Sequence, residues 1–148
     1  MRVICSITAL AVASLALPLR STAQAVIPPG CQNSTVDVFG PDEARKAREF
    51  LSELKAAVKQ DDRQKIASMI SYPLQVFGKT QKRSIQSRDE FLRGYEDVFS
   101  SNVKAALDRQ TPNCLFGNWQ GVMVGNGEFW YREITGKGYQ IVTINLGK

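Results

Sequence analysis

The sequence predicts an α+β fold in which helices come first along the chain and an antiparallel sheet follows. Apolar residues recur at helical spacing between residues 41 and 62, with charged residues between them. The last third, from residue 115 onward, is rich in aromatic and β-branched residues, which favour strands. Asn126-Gly127 and a Gly-Lys-Gly segment at residues 136–138 divide this part into three, and Asn-Gly is a strong hairpin signal because both turn positions need positive φ. These observations predict helices packed on a C-terminal antiparallel meander.

The first two helices follow from their start and stop signals. Pro41 suits a first helical turn, and the acids Asp42 and Glu43 suit the positive end of the helix dipole. We expect this helix to end near residues 61 and 62; its apolar residues are Phe50, Leu51, Leu54 and Val58. A shorter second helix reaches Ile70 and is ended by Pro73, because the residue before proline is pushed towards extended geometry.

A short strand pair and a third helix occupy the middle of the chain. The pair runs from Leu74 to Phe77 and, after a basic turn at residues 79–83, to Ile85. Ser87, followed by Glu90 three residues later, is a capping box that starts a helix reaching residue 99. A further turn or helix is closed at residues 111–112, and the late strands are predicted at residues 115–124, 128–134 and 139–146.

The N-terminus predicts export. Arg2 is followed by an uncharged, largely apolar run to residue 19, interrupted by Pro18, and a small-residue triplet ends at Ala25. This is the design of a secretory signal peptide cleaved after Ala25, and the run is short for a membrane span of about 20 residues. We therefore expect a periplasmic or secreted protein with a signal peptide (1–25), an irregular lead-in (26–40), one α+β domain (41–148) and no transmembrane span after cleavage.

Cysteine content agrees with an oxidising compartment. Cys5 leaves with the signal peptide, so Cys31 and Cys114 remain and are predicted to form one disulfide. Removal of residues 1–25 leaves 17 basic and 14 acidic side chains. This mild excess, together with export and the lack of an aromatic-basic recognition motif, argues against a nucleic-acid partner.

The glycines of GVMVGNGEFWYREI, residues 121–134, are turn glycines and not a phosphate-binding loop. A dinucleotide loop needs a third spaced glycine before a helix, and a P-loop needs a Gly-Lys-Ser/Thr ending. Here a strand follows at residue 128.

The order of elements resembles the nuclear-transport-factor-2-like superfamily, also called SnoaL-like or ketosteroid-isomerase-like. The resemblance is carried by the helix around residues 50–58, the passage 70–74, the capped helix 87–99 and the segment 125–130. It covers nearly the whole mature chain as a match of element order and pattern. It implies a cone-shaped curved sheet with a partly apolar cavity, and it is compatible with a homodimer through the sheet. Such cones host isomerases, dehydratases and non-catalytic binders.

The types of side chain in the sequence limit the catalytic chemistry that the protein could perform. The chain contains no histidine, which removes the usual general base and most zinc sites, so no metal and no cofactor are predicted. Carboxylate, tyrosine and lysine chemistry remains, but no Asp–Tyr pair of the isomerase branch matches by position. The candidate ligand-binding residues are Tyr72, Tyr95, Trp119, Glu128, Trp130 and Arg132. Of these, Glu128, Trp130 and Arg132 share one face of a strand by alternation.

The segment KTQKRSIQSR offers a second candidate, a basic patch for an anionic partner. Its cations are Lys79, Lys82, Arg83 and Arg88. The preferred interpretation is an exported, non-catalytic protein that holds a small apolar or amphipathic ligand in its cavity, or an envelope protein at its sheet. A small carboxylate- and tyrosine-based isomerase-like enzyme, and an inhibitor or immunity-type protein, remain as alternatives.

Overall fold

The computed structural model describes Cys31 and residues 34–147. The predicted signal peptide, residues 1–25, lies outside the described residues, as do residues 26–30, 32 and 33 of the lead-in. The helices are α1 (Thr35–Phe39), α2 (Pro41–Lys59), α3 (Arg63–Ser68), α4 (Arg88–Arg93), α5 (Tyr95–Val98) and α6 (Ser101–Arg109). The strands are β1 (Ile70–Phe77), β2 (Lys82–Ile85), β3 (Phe116–Asn118), β4 (Gly121–Val124), β5 (Phe129–Ile134) and β6 (Gly138–Asn145). The predicted α+β class is confirmed.

The six strands form one mixed sheet in the order β2-β1-β6-β5-β4-β3. Neighbouring strands are antiparallel except β1 and β6, which pair in parallel with Gln75 opposite Thr143. The expectation of a wholly antiparallel sheet is therefore wrong. Turn residues in a sequence predict pairing only between consecutive strands. Strands β1 and β6 are separated by helices and by the other strands, so no turn signal predicts their parallel pairing.

Strand β1 begins earlier than predicted. Helix α3 ends at Ser68, and Ile70, which was expected to be helical, already pairs with Ile141 of β6. The β1–β6 register then shifts between Ile70 and Gln75. Pro73 lies in this interval and has no N–H to donate to a neighbouring strand, so proline interrupts the ladder here and does not simply end a helix.

The lead-in is partly helical. Residues Thr35–Phe39 form α1, although an irregular segment was expected up to residue 40. Gly40, at φ 82°, separates α1 from α2. The hydroxyl of Ser34 links α1 to β3, because it accepts from the Gly117 N–H and donates to the Gly117 carbonyl, each at 2.9 Å. Helix α1 is thus stabilised by contacts that lie far away in sequence.

The predicted disulfide is confirmed. Cys31 and Cys114 are joined with an S–S distance of 2.02 Å across a sequence separation of 83 residues. It ties the start of the described chain to the segment that leads into β3. Closing a loop of this length stabilises the fold by about 4 kcal/mol in the chain-entropy picture.

The first late strand segment is divided. Residues 115–124 were expected as one strand but form β3 and β4, joined by a turn at Trp119 and Gln120. The Asn118 side chain accepts from the Gln120 N–H at 2.8 Å, and Gly121 has φ 132°. Asn118 and Gly121 are the turn-forming residues here. Because the residues around them favour strands, a single strand was predicted.

The next turn, at residues 125–128, also differs in detail. Gly125 and Gly127 have positive φ, whereas Asn126 does not, so this is a four-residue loop and not the predicted two-residue Asn-Gly hairpin. The Gly-Lys-Gly turn before β6 is confirmed.

The predicted capping box is confirmed in modified form. Ser87 accepts from the Glu90 N–H at 3.3 Å, and the Glu90 carboxylate accepts from the Gln86 N–H at 2.7 Å. The helix expected to run to residue 99 is interrupted at Gly94, which ends α4 and begins α5.

Buried aromatic rings fill the space between the helices and the sheet. Phe91, Tyr95, Phe99, Phe129 and Tyr131 are each at most 1% exposed. Successive ring centroids along this series lie 5.6, 5.8, 6.5 and 6.4 Å apart. One face of the sheet is therefore closed by packing against helices. Within the described residues no helix has the length and apolar character needed to cross a membrane.

Candidate binding surface on the open face of the sheet

The sheet has a second face that none of the described helices covers. Strand pairing places Gln75, Phe77, Lys82, Trp130, Arg132 and Thr143 on this side, which we call the open face. The alternate residues of β5, Phe129 and Tyr131, are fully buried on the helical side. The predicted alternation of β5 is therefore confirmed for its strand residues.

Trp119 is the most exposed large apolar side chain in the described part of the chain. It lies at the tip of the β3–β4 hairpin and is 84% exposed. The hairpin reaches this position because Gly121 lets β4 approach β5 closely. A Cβ on Gly121 would lie 2.5 Å from the Tyr131 carbonyl oxygen, and the φ of 132° is one that L side chains rarely adopt.

Two depressions that open to solvent meet at Trp119 and share Arg132. The first has a volume of about 520 Å³ and is also lined by Glu43, Glu133 and Tyr139. The second has a volume of about 430 Å³ and lies on the open face; its other contributors include Tyr72, Pro73, Gln75, Val142 and Thr143. Trp119 and Arg132 thus stand at the border between the helical edge of the sheet and its open face.

The first depression contains polar groups that the sequence did not single out. The Glu43 carboxylate accepts from Lys46 Nζ at 2.6 Å through Oε1, while Oε2 is buried without a hydrogen-bond partner among the described residues. The Tyr139 hydroxyl donates to the Glu43 carbonyl at 3.2 Å. Burial, and next the charge of Glu43, raise the pKa of Tyr139 to about 12. Glu43 had been explained as a helix-start acid, and nothing in the spacing links residues 43 and 139.

The second depression is cationic on its polar side. The Arg132 guanidinium makes no ion pair or side-chain hydrogen bond within the described residues. The Tyr72 hydroxyl donates to the Ala67 carbonyl at 3.1 Å, and burial raises the pKa of Tyr72 to about 12. A ligand here would therefore meet a free guanidinium beside apolar rings, and not an ionised phenol.

Three of the six predicted ligand residues come together, namely Tyr72, Trp119 and Arg132. Trp130 lies on the same face but packs edge-on against Phe116, with ring centroids 6.5 Å apart. Tyr95 and Glu128 lie elsewhere.

Tyr95 belongs to the helical layer. Its ring is 1% exposed and has Arg63 Cζ at 4.5 Å and Lys104 Nζ at 4.8 Å from its centroid. Glu96 bridges the two cations, at 2.6 Å from Arg63 and 2.9 Å from Lys104. Burial raises the pKa of Tyr95 to about 12, and its hydroxyl has no hydrogen-bond partner among the described residues. The contacts of Tyr95 are those of a structural residue.

Glu128 holds the turn before β5. The side chain is 6% exposed, and its carboxylate accepts from the Asn126 N–H at 2.6 Å. The Glu128 carbonyl also accepts from the Asn145 N–H at 2.7 Å. These bonds engage Glu128 in the turn, away from the two depressions at Trp119.

The predicted basic patch is split. Arg88 turns to the helical layer and donates to Gln64, at 2.7 Å to Oε1 and 3.1 Å to the carbonyl. Lys82 projects over Phe77 on the open face, with Nζ 5.0 Å from the ring centroid. Lys79 and Arg83 border a separate small depression of about 250 Å³. Strand alternation in β2 sends neighbouring cations to opposite sides, so four basic residues close in sequence do not form one surface.

The described residues contain no cluster of three or more histidine, cysteine, aspartate or glutamate side chains that could hold a metal ion. Comparisons of the chain with family models, with curated proteins and with solved structures found no significant match.

Proposed function

We propose that this protein is an exported, non-catalytic binding protein that engages an envelope protein through the open face of its sheet, with Trp119 as the apolar anchor. We further propose that its α+β fold is a nuclear-transport-factor-2-like cone in which the interior is filled, so that binding takes place on the outside. The observation that carries this proposal is the contrast between the buried aromatic interior and a tryptophan that is 84% exposed between two depressions.

The exposure of Trp119 supports a binding role, because a large apolar ring is unfavourably exposed to water until a partner covers it. Tryptophan buries more area than almost any other side chain and is enriched among residues that dominate protein interfaces. Arginine is also enriched at interfaces. Arg132 lines the same two depressions as Trp119 and has no ion-pair partner in the described residues. A bound protein would remove both side chains, the exposed tryptophan and the unpaired arginine, from water.

The compartment is supported by the covalent structure. Disulfides persist in oxidising compartments, and Cys31–Cys114 is such a bond. Cleavage after Ala25 is the remaining part of the proposal, and N-terminal sequencing of the mature protein tests it directly.

The isomerase-like alternative receives less support from the geometry. That chemistry needs a carboxylate that faces a tyrosine or a protonated acid inside an apolar cavity. Glu128 is engaged in its turn, and the hydroxyls of Tyr72 and Tyr131 donate to backbone carbonyls. Tyr139 and Glu43 lie together in a depression that opens to solvent.

The test is affinity purification from the native envelope with wild-type protein and the Trp119→Ala variant, with bound partners quantified by mass spectrometry. A hot-spot tryptophan contributes about 2 kcal/mol or more, so we expect partner recovery to require at least roughly 30-fold higher concentration for the variant. Val38→Ala is a matched control, since Val38 is 46% exposed on α1 and its side chain lines neither Trp119 depression. Equal recovery with Trp119→Ala and wild type would refute the proposed surface.

A further inference from the structure

The structure segregates charge between its two layers, and from this we infer that the partner on the open face is a protein that presents an acidic surface. The inference rests on the proposed function and specifies the chemistry of the partner.

Acidic side chains are absent from the open face in the described residues. The six strands contain a single acidic residue, Glu133. Glu133 pairs with Tyr139, whose ring lies 6.2 Å from that of Phe50 in α2, so Glu133 is on the helical side. Glu128 is buried in its turn, and the other acids of the chain lie in the helices or between α2 and α3.

The ion pairs of the described residues lie in the helical layer, although other cations of that layer, including Lys59 and Arg109, form none. On the helical side Arg45 pairs with Glu49 at 2.7 Å and Lys46 with Glu43 at 2.6 Å, and Glu96 joins two further cations. On the open face Arg132 and Lys82 form no ion pair within the described residues. The side chains of the open face thus include two unpaired cations and no acid, whereas Glu43 and Glu133 lie across the strand edge in the depression that Arg132 also lines. Carboxylates of a partner would complete the open face.

The remaining side chains favour a protein over other anions. The open face combines aromatic rings at Phe77 and Trp130 with an arginine and with amides such as Gln75. Aromatic residues and arginine are enriched in protein interfaces. Binding to an anionic membrane typically uses a cluster of about four to eight cations. The strands place only two cations, Lys82 and Arg132, on this face, so a membrane is the less favoured partner.

A second copy of this chain is a poorer occupant. A two-fold dimer brings the same patch of each protomer together, so Arg132 and Lys82 would meet a surface that also lacks carboxylates. Opposed like charges disfavour such pairing, whereas an acidic partner removes the conflict.

The experiment uses an immobilised Glu–Tyr random copolymer as a defined acidic, aromatic polypeptide and a Lys–Tyr copolymer as its charge-inverted counterpart. Binding is measured by biolayer interferometry for wild type, for Lys82→Glu/Arg132→Glu and for Lys59→Glu/Arg109→Glu. The last pair is exposed on helices α2 and α6 and changes net charge equally. Circular dichroism verifies that each variant is folded.

We expect wild type to bind the Glu–Tyr copolymer and not the Lys–Tyr copolymer, with affinity falling at high salt as exposed charges are screened. The open-face reversal is expected to weaken binding about tenfold or more, and the helical reversal by less than about twofold. Equal weakening by both reversals would overturn the inference, because net charge alone would then explain binding. So would preferential binding to phosphatidylglycerol vesicles, or a wild-type dimer that the open-face reversal dissociates.

The same variants separate this inference from the proposed function. If Trp119→Ala loses the native envelope partner while Lys82→Glu/Arg132→Glu retains it, the binding surface stands and the acidic partner is refuted. If both variants retain that partner, both proposals fail.

Discussion

Two tyrosines of the interior have almost equally buried rings but differ in whether the hydroxyl is hydrogen-bonded. Tyr131 is fully buried and donates to the Ala47 carbonyl at 3.0 Å. Tyr95 is 1% exposed, and its hydroxyl has no partner among the described residues. A buried polar group without a hydrogen bond costs stability, whereas a bonded one contributes.

Replacement by phenylalanine is therefore expected to have opposite consequences at these two positions. Tyr131→Phe removes the bond to α2 and should lower the free energy of unfolding by about 1 kcal/mol. Tyr95→Phe keeps the ring under Arg63 and Lys104 and should leave stability unchanged or raise it by up to about 1 kcal/mol. Urea denaturation of both variants measures the difference. A larger loss in Tyr95→Phe than in Tyr131→Phe would contradict these assignments.

At this scale the sequence predicts part of the candidate surface. Trp119 and Arg132 were chosen as an aromatic and a cation near strand positions, and both line the two depressions. Glu128 was chosen by alternation along β5, but it precedes the strand, and turn bonding decides its orientation. Alternation predicts faces only where a strand is continuous.

At the scale of elements, the β3–β4 hairpin determines where Trp119 lies. The hairpin depends on Gly121, which has φ 132° and lies directly against the backbone of Tyr131. Gly94, between α4 and α5, is a contrasting glycine: its φ is −105°, and a Cβ there would meet the Glu90 carbonyl oxygen at an ordinary 3.7 Å.

Alanine substitutions at these two glycines should therefore diverge. Gly121→Ala adds strain at a positive φ and a clash with β5, so we expect a loss of at least about 2 kcal/mol in the free energy of unfolding. Gly94→Ala fits without a clash and should be neutral or stabilising by less than about 1 kcal/mol. Thermal denaturation of the matched pair provides the comparison. A Gly121→Ala variant as stable as Gly94→Ala would mean that β4 and β5 are less closely packed than described.

The hairpin also shows why some elements were missed. The residues from 115 to 124 favour strand throughout, and the short turn at Trp119 and Gln120 is set by the Asn118 side chain and the backbone of Gly121. Helix α1 was missed because its support comes from Gly117, more than 80 residues away. Local signals did predict α2 and the capped start of α4, since their caps and periodicity lie within the segments themselves.

At the scale of the whole molecule, the sequence predicted the class and the disulfide but not the topology. The parallel contact of β1 and β6 joins strands separated by the middle of the chain, and no turn residue records it. The charge segregation between the helical layer and the open face likewise appears only after strand register assigns each side chain to a face. The charge segregation supports the inferred acidity of the partner, whereas the proposed function is carried by the exposure of Trp119 outside a closed interior.

The central claim is that the interior is closed by aromatic rings, so that a partner must bind outside. Two of the chain's four tyrosines, Tyr95 and Tyr131, lie in this interior, whereas Tyr72 and Tyr139 line the solvent-open depressions. Burial is the first cause that raises the pKa of Tyr72, Tyr95 and Tyr139 to about 12, and it raises that of Tyr131 further. An unfolded tyrosine has a pKa of about 10, so the folded state is fully favoured below that pH and loses stability as pH rises from about 10 through about 12.

Alkaline titration of phenolate absorbance tests this claim most directly. At roughly pH 10.5 the urea-unfolded protein should have about three quarters of its tyrosines ionised, while the folded protein should show almost none until it unfolds at higher pH. If the folded protein instead ionises all four tyrosines with a midpoint near 10, water reaches the interior rings of Tyr95 and Tyr131 as well as the two that line the depressions. The interior would then be an open cavity, contrary to this account.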